Sequence, residues 1–474
     1  MNNKVNKQVE KEAIFGIAPV LQKDKLYGFI DAFLVLSGYC IATWSYTQGS
    51  YLATLVGFRQ LLIGAFLGAI LMLVIYQLPV ILSVRYGIDI WIWLRSVFGK
   101  SGVKVMTVVI IVINFPWYAV CAELFSSSMT NLLALFGVVL PKSLHVFLAI
   151  LCVLIGTFIA YKGIGAITWT TRILVPLLLG LGVIVVVVGF TSVPFDAIWN
   201  YKPKLNENSS IIPYIISIEA NFAFVITLVG GMSGVPRLTK KETSGFWAGV
   251  LGQGLSGSFF VVVGAVMSIA MQYVTGKMVD DPTIMLATLS VPLLALASLL
   301  LVAFANIGTQ AVGSYLYGVM LKSSFKRAKY SVLIIILALY VSGLCVWGKI
   351  IEYFGSFLTI SACVYAPLAA LLFVDFFFVR KQKIALRSAF GILGYNAYDY
   401  KCGVNWIGFI CVAAGIFMSL LIYNPITQEV HNMFLFYFTP TGFSFLGTGV
   451  LYFGLSRIPK IQKILLRDRE EIIV

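Results

Sequence analysis

Two apolar stretches of the chain are interrupted in the middle by glycine and polar residues. Residues 36–49 read LSGYCIATWSYTQG, and residues 219–236 read EANFAFVITLVGGMSGVP. A helix in lipid must satisfy its own backbone hydrogen bonds, so an interruption in mid-membrane needs partners inside the protein. Paired interruptions in two halves of a chain are typical of transporters built from inverted repeats, with a binding site near the membrane midplane. Close helix packing through small residues is the alternative for either stretch alone.

The composition identifies a polytopic membrane protein. Of the 474 residues, 60% are hydrophobic and 11% are charged, whereas soluble domains contain roughly 45–50% and about 25%. Runs of about 20 apolar residues are long enough to cross a hydrocarbon layer roughly 30 Å thick. Twelve such spans are predicted near residues 28–55, 60–82, 104–136, 144–161, 169–192, 211–235, 246–274, 285–320, 331–348, 352–378, 405–424 and 433–456.

The distribution of Lys and Arg predicts the orientation of the chain. Most of them lie in the two tails and in the links after spans 2, 4, 6, 8 and 10, which the positive-inside rule assigns to the cytoplasm. Of the 34 basic residues, only six lie elsewhere: Arg59, Lys142, Lys202, Lys204, Lys277 and Lys349. We therefore expect a multi-pass protein of the cytoplasmic (plasma) membrane with both termini in the cytoplasm. The net charge of +15 is divided among short links, so nucleic acid is not expected as a partner.

The residues that usually carry metal or catalytic chemistry are scattered. Six of the seven Cys lie within apolar runs without a Cys-x-x-Cys pair, and His145 and His431 are far apart. Such a set does not form a structural metal site. A membrane-embedded enzyme would need a convergent group of catalytic side chains, and a channel would need repeated filter residues. The sequence favours neither, and we do not expect an enzyme.

Two carboxyl groups lie deep within predicted spans, Glu123 in span 3 and Glu219 in span 6. A charged group at the bilayer centre costs about 2.5–3.5 kcal/mol on insertion scales and is rare without a use. Proton transfer, cation coordination and contact with a polar substrate are the functional interpretations. A protonated carboxyl group bonded to a neighbouring helix is the alternative.

Spans 3 and 8 contain further candidate binding groups. Residues 114–118 read NFPWY, and the proline bends the helix beside Trp117, whose face is suited to stacking on a flat heterocycle. Packing against lipid or protein is the alternative for this ring. In span 8, Gln310 and Ser314 share a helix face, as polar groups of a ligand pocket do. They are equally suited to hydrogen bonds between helices.

Several motifs, in order over residues 27–425, resemble those of the nucleobase–cation symporter-1 family. Residues 94–102 read LRSVFGKSG, which resembles the family's cytoplasmic helix-and-turn signature, Ala-Arg-x-Ser-Phe-Gly-x-x-Gly. The other matches are Gly163-Ile164 with Pro176, Leu358-Thr359 and Ser361-Ala362 followed by Pro367, Asp375 and Arg380, and Val404-Asn405-Trp406.

The resemblance implies an all-α polytopic membrane protein of the leucine-transporter type. Twelve transmembrane helices would comprise a 5+5 inverted repeat and two peripheral helices. The corresponding divisions are a cytoplasmic N-terminal tail (1–26), a ten-helix transport core (27–380, with repeats of about 27–192 and 211–380), a cytoplasmic link with two peripheral helices (381–456) and a cytoplasmic C-terminal tail (457–474).

The resemblance also implies a secondary active symporter that imports a small planar nitrogen heterocycle of the nucleobase, hydantoin, allantoin or vitamin-precursor type. By position, Trp117 and a span 6 aromatic residue would sandwich the ring. The span 6 position falls on Phe224 or Val225, and Phe224 is taken because stacking needs a π-face. Cys121 stands where a sodium–hydantoin relative has an amide. The other substrate-binding candidates are Cys40, Glu219, Asn221, Gln310 and Ser314. An amino-acid or amine importer on the same fold is the alternative, and it predicts a substrate carboxylate at the exposed amides of the span 1 break.

The resemblance implies a co-transported Na⁺ or H⁺ and no other cofactor. The family's sodium site uses carbonyl groups at the span 1 break, a span 8 carbonyl and two adjacent hydroxyls. By position these become Ser37, Gly38, Tyr39 and Cys40, Ala305, and Gly308 with Thr309. Since Gly308 has no hydroxyl, Thr309 remains as the side-chain Na⁺ ligand, and Glu123 and Glu219 offer protonatable groups instead. The sequence leaves the choice of ion and the oligomeric state open.

Overall fold

The computed structural model describes residues 18–41, 43–203, 211–279, 281–289, 291–392, 394–427 and 429–468. Within these ranges the chain is helical, and its only β pairing is two isolated bridges, Tyr27–Thr239 and Tyr423–Val430. Residues 1–17 and 469–474 of the predicted tails, and Ala42 in the span 1 break, lie outside the described residues.

The α-helices are named here in chain order. They are α1 (Phe29–Cys40), α2 (Thr43–Leu55), α3 (Phe58–Tyr76), α4 (Val80–Tyr86), α5 (Ile90–Asn114), α6 (Pro116–Ala134), α7 (Lys142–Lys162), α8 (Ile164–Ser192), α9 (Phe195–Trp199), α10 (Ile212–Ile226), α11 (Gly231–Gly234), α12 (Glu242–Gly249), α13 (Ser256–Thr275), α14 (Pro282–Leu289), α15 (Pro292–Ser324), α16 (Tyr330–Trp347), α17 (Phe354–Val374), α18 (Leu386–Phe390), α19 (Trp406–Leu420), α20 (Met433–Phe436), α21 (Pro440–Arg457) and α22 (Pro459–Leu465).

The helices confirm the predicted polytopic architecture. Within the described residues, nine helical segments are long and apolar enough to cross a membrane, and the bent pair α1–α2 makes a tenth. The remaining two predicted spans, 6 and 12, correspond to the shorter apolar helix α10 and to α21. Each of the twelve apolar runs therefore coincides with helix.

Both interrupted spans are broken where the sequence predicts. The α1 helix ends at Cys40, Ile41 donates its N–H to the carbonyl oxygen of Ser37 at 2.7 Å, and α2 continues after a bend of 54°. The α10 helix ends at Ile226 and is followed by a 3₁₀ turn, Thr227–Gly230, before the four-residue α11. Regular helix is thus interrupted within an apolar span in both halves of the chain.

Several predicted span boundaries are wrong. The residues in the turns between these helices are mostly apolar, so the hydropathy pattern continues across the turns and does not mark where a helix ends. Predicted span 8 is two helices, of which the second, α15, begins at Pro292, and predicted span 12 is likewise divided before Pro440. Proline favours the first turn of a helix because its missing N–H has no intrahelical partner there. Predicted span 3 extends back to Ile90 through a bend at Gly99, whose φ of 82° is accessible to glycine at low cost.

The segments rich in Lys and Arg meet on one face of the bundle, which we call the basic face. Side-chain contacts join these segments to one another, as the charge pattern predicts for segments on one side of the membrane. The contacts are Lys25 with the carbonyl of Val84, Arg172 with Asp31, Arg85 with Glu242 and Gln382, Arg95 with the carbonyls of Ser323 and Ala389, and Arg380 with Asp468.

Candidate functional site

A small cavity lies where the two broken spans meet span 3, and we call it the aromatic cavity. Its volume is about 10 Å³, which holds roughly one water molecule. The lining residues are Tyr39 and Trp44 beside the α1–α2 break, Asn114 and Trp117 at the α5–α6 junction, and Phe224, Thr227 and Leu228 beside the α10 break. The cavity is therefore built from irregular backbone in three spans and is closed around its own side chains.

Trp117 is the centre of an aromatic cluster. Its side chain is buried, and its ring centroid lies 5.5 Å from that of Trp44 and 5.7 Å from that of Phe224. Phe354 and Phe357 of α17 approach it at 5.3 and 4.9 Å. All four rings meet Trp117 edge to face, a geometry that ring quadrupoles favour.

The rings of Trp117 and Phe224 are not parallel in this conformation. Their planes make an angle of 72°, so they touch each other instead of bounding a slot. A planar guest stacked on Trp117 therefore needs one of the four neighbouring rings to move. Sequence reasoning identified these two rings but not the contribution of Trp44, Phe354 and Phe357, because the covering surfaces come from distant parts of the chain.

Two lining residues carry polar atoms without a protein partner. The Oδ1 atom of Asn114 and the Nε1 atom of Trp117 are buried and have no hydrogen-bond partner among the described residues. The Nδ2 atom of Asn114 donates to the hydroxyl of Tyr317. An unpaired buried polar group costs about 1–3 kcal/mol, so a guest that supplies a donor and an acceptor would be stabilised here.

Gln310, Ser314 and Cys121 do not line the aromatic cavity. The stem of Gln310 fills a notch at Gly156 of α7, where an added Cβ would lie 2.4 Å from its Cγ. Both polar atoms of this buried amide lack a hydrogen-bond partner within the part of the chain that the structure describes. Cys121 lies beside Cys152 of α7. Gln310 and Cys121 therefore face span 4.

Asn221 and Cys40 also lie outside the lining of the aromatic cavity. Asn221 donates to the carbonyl of Ser217 in its own helix at 2.8 Å, and its Cβ packs against Gly68 of α3. The thiol of Cys40 donates to the carbonyl of Gln253 at 3.3 Å. Asn221 therefore contacts its own helix and α3, and Cys40 contacts the segment between α12 and α13; neither side chain faces the aromatic cavity.

Glu219 lines a second cavity, of about 170 Å³, between α10, α17 and the peripheral helices. Its carboxylate accepts hydrogen bonds from the backbone N–H of Thr441 at 3.1 Å and from the Thr441 hydroxyl at 2.6 Å. Thr441 lies in the first turn of α21, where the helix dipole favours a negative charge. Glu219 therefore connects the core to a peripheral helix and does not line the aromatic cavity.

The candidate cation ligands are partly brought together. The hydroxyl of Thr309 donates to the carbonyl of Gly38 at 3.1 Å, so α15 touches the end of α1. An added Cβ at Gly308 would lie 3.4 Å from the nearest side-chain atom, on Leu174 of α8. Ala305 is buried one turn earlier on α15. The hydroxyl of Ser37 contacts that of Ser256 at 3.2 Å.

Glu123 lies apart from these groups. It is buried in α6, and its Oε1 atom has no hydrogen-bond partner among the residues described.

Asn306 is a polar residue near this site that the sequence analysis did not propose. Its Oδ1 accepts a hydrogen bond from the hydroxyl of Thr43, in the first turn of α2. Its position three residues before Thr309 places both residues on one helix face, and this spacing could have identified it.

A family model described as "Permease for cytosine/purines, uracil, thiamine, allantoin" matches residues 19–439. No curated protein sequence matches the chain. The fold is that of solved transporters. Mhp1, a nucleobase-cation-symport-1 family transporter in a closed conformation with bromovinylhydantoin bound, superposes with a TM-score of 0.76 at 18% identity, over 95% of this chain and 99% of that chain.

Two further structures extend the comparison. The inward-facing conformation of Mhp1 gives a TM-score of 0.75 at 18% identity over 96% of this chain and 97% of that one. A Na⁺-coupled sialic acid symporter in a substrate-bound outward-open state gives 0.63 at 12% identity, over 94% and 96%. These likenesses establish the leucine-transporter-type fold. Because the family model spans most of the sequence, the chain belongs to the nucleobase–cation symporter-1 family of permeases for cytosine, purines, uracil, thiamine and allantoin.

Proposed function

We propose that the protein imports a small, uncharged, planar nitrogen heterocycle by alternating access, coupled to Na⁺ or H⁺. The observation that carries this proposal is the aromatic cavity, in which Trp117 meets both broken spans. Mhp1, which has the same fold, is described with bromovinylhydantoin bound, and hydantoin is a ring of this class.

The chemistry of the lining favours a neutral ring. Trp117, Trp44 and Phe224 supply π-faces, and base–aromatic stacking is worth about 1–3 kcal/mol per base. Asn114 Oδ1 and Trp117 Nε1 supply one acceptor and one donor for the edge of a ring. None of the lining residues is charged, so a zwitterionic amino acid would bring its ammonium and carboxylate groups into a site without ionic partners. The amino-acid importer is therefore the weaker alternative.

The closed cavity requires a conformational step. Phe354 and Phe357 of α17 cover Trp117, and Trp44 and Phe224 touch it from α2 and α10, so at least one of these four rings has to move before a planar substrate stacks on Trp117. A ligand shifts such an equilibrium only if it binds one state more tightly. A substrate ring that stacks on Trp117, in place of the edge-to-face contacts of the closed state, would bind the open conformation more tightly than the closed one.

For the coupling ion, two sets of groups support different proposals. Thr309 and the carbonyl of Gly38 support Na⁺, since both present oxygen atoms where α1 unwinds. Glu219 and Glu123 support H⁺, since a buried carboxyl group can exchange a proton. The missing hydroxyl at Gly308 weakens the first set, and the distance of Glu219 from the aromatic cavity makes its action on the substrate indirect.

The remaining assignments rest on charge and on the positions of the breaks. We place the basic face in the cytoplasm of a plasma-membrane protein, by the positive-inside rule. We assign the repeats to about 27–192 and 211–380, so that the α1–α2 break and the α10–α11 break occupy equivalent positions. Residues 381–456 then contain the link and the peripheral helices α19 and α21.

The test is uptake by purified protein in proteoliposomes. Cytosine, adenine, uracil, allantoin, hydantoin and a thiamine precursor are each offered with a Na⁺ gradient, with a pH gradient, and with neither. We expect saturable uptake of at least one ring driven by one gradient, and thermal stabilisation by that ring of about 2.7 kcal/mol at a hundredfold excess over Kd. Gradient-driven uptake of phenylalanine but of no ring would contradict the proposal.

A further inference from the structure

A large cavity on the basic face is lined by cationic side chains. It has a volume of about 800 Å³ and lies between the first half of α5, the α15–α16 link and the end of α18. Its lining residues are Arg95, Lys100, Lys104, Ser324, Phe325, Lys326, Arg327, Ala328, Phe390 and Gly391. We call it the basic cavity, and the transport proposal makes no use of it.

The positive charge of the basic cavity is largely uncompensated. Among the described residues, the only ion pair of its five cations joins Lys100 to Asp399 at 2.6 Å. This leaves a net charge of +4, from five cations and one carboxylate. Lys104 and Arg327 are exposed and form no hydrogen bond or ion pair within the described part of the chain. Two positively charged side chains are thus free to bind an anion.

Arg95 and Lys326 are held in place without being neutralised. Arg95 donates to the carbonyl oxygens of Ser323 and Ala389, and Lys326 donates to the carbonyl of Phe390. Carbonyl groups orient these side chains but carry no net charge. Burial, and then the neighbouring Arg95 and Lys100, lower the pKa of Lys326 to about 8, as expected where like charges converge.

An apolar strip begins beside the basic cavity. Val105, Val108 and Val112 follow Lys104 along the outer surface of α5, and all three are exposed. The adjacent helix α16 exposes Ile336 and Leu339, and its Tyr340 donates a hydrogen bond to the carbonyl of Val112 at 2.9 Å. A ligand in the basic cavity therefore has apolar helix surface next to it, in the direction of the bilayer core.

We propose that the basic cavity binds the phosphate group of an anionic phospholipid, with Lys104 and Arg327 as its direct contacts and the acyl chains along the strip formed by α5 and α16. Basic pockets between transmembrane helices at the interface suit anionic head groups, because each Lys or Arg near the surface attracts the negative charge. Guanidinium groups bind phosphate oxygens in a bidentate manner. A free phosphate shares the head-group chemistry but lacks the acyl chains.

The experiment measures thermal unfolding of the full chain in a neutral detergent against increasing phosphatidylglycerol, phosphatidylcholine with the same acyl chains, or inorganic phosphate. The variant is Lys104→Gln with Arg327→Gln. The matched control is Lys460→Gln with Lys463→Gln, which removes equal charge from exposed positions of α22 that do not line the cavity. Native mass spectrometry counts bound lipids independently of stability.

We expect phosphatidylglycerol, and not phosphatidylcholine, to raise the unfolding temperature of the unmodified protein and of the control. The cavity variant should need roughly tenfold or more phosphatidylglycerol for half of the effect, and should lose one bound lipid. Equal responses of the two variants would overturn the site. If inorganic phosphate raised the unfolding temperature as much as phosphatidylglycerol does, the acyl chains would contribute nothing, and a phospholipid would be excluded as the occupant.

Discussion

The hydroxyl of Thr309 donates a hydrogen bond to the carbonyl oxygen of Gly38, 3.1 Å away. Gly38 lies in the last turn of α1, where helix carbonyls lack intrahelical partners. The contact therefore joins α15 to the point at which span 1 unwinds. Any cation that binds these oxygens would depend on the relative position of the two helices, which is the coupling that a symporter needs.

Replacing Thr309 tests Na⁺ coupling. Thr309→Ala removes the hydroxyl oxygen that would coordinate the ion. With hydrogen bonds to charged groups, about 1.5–3 kcal/mol, as the scale of such a contact, we expect a roughly ten- to hundredfold higher Na⁺ concentration for half-maximal uptake. Thr309→Ser keeps the hydroxyl and should stay close to the original value. Equal Na⁺ dependence of the alanine variant and the unmodified protein would contradict the assignment.

Gly308→Ser should restore a hydroxyl next to Thr309. The nearest heavy atom to an added Cβ lies 3.4 Å away, an ordinary van der Waals distance, so the protein should fold normally. We expect a lower Na⁺ concentration for half-maximal uptake, measured in proteoliposomes. Gly308→Ala is the matched control because it adds the methylene-sized bulk without the oxygen; an identical effect of both variants would attribute the change to packing.

Glu219→Gln distinguishes proton coupling from a structural role. The amide oxygen can still accept the hydrogen bonds from Thr441 but cannot ionise. If Glu219 carries the transported proton, uptake should lose its response to a pH gradient while the unfolding temperature changes little. Thr441→Val, which removes the hydroxyl bond and should cost about 1 kcal/mol, is the control for stability. Intact pH-driven uptake in Glu219→Gln would exclude this residue as the proton carrier.

Trp117→Ala tests the stacking face. Loss of a base–aromatic contact of about 1–3 kcal/mol should weaken substrate affinity roughly five- to hundredfold in a binding assay. Trp117→Phe keeps a π-face and should lose less. Trp169→Ala is the matched control, since this ring on α8 is exposed at the outer surface. Unchanged affinity in Trp117→Ala would remove the aromatic cavity as the binding site.

Arg380→Gln should destabilise the protein strongly. Arg380 is fully buried between Asp375, at 3.0 Å, and Asp468. Removal of the cation leaves both carboxylates buried without an ionic partner, and the loss of one partner from a buried ion pair typically costs about 3–5 kcal/mol. Arg85→Gln breaks the exposed pair with Glu242 and should cost less than about 1 kcal/mol. If the two variants had similar unfolding temperatures, the buried network would be dispensable for stability.

Side-chain neighbours were the least predictable part of the site. Gln310 and Ser314 share a helix face by spacing, yet only the structure shows that the stem of Gln310 fits the notch at Gly156. Asn221 packs on Gly68 in the same way, because a glycine on the partner helix has no side chain and leaves room for the residue opposite it. Periodicity defines which residues share a face, but the partner of that face depends on helices far away in the chain.

By itself, the amino-acid sequence determined membrane insertion, the grouping of basic segments and the breaks near Gly38 and after Ile226, because hydropathy and backbone hydrogen bonding act within a single helix. The tertiary structure alone decided that Trp117 is enclosed by rings from three other spans and that Glu219 faces Thr441. Those contacts depend on how each helix is rotated and shifted against its neighbours, which is set by packing over the whole bundle.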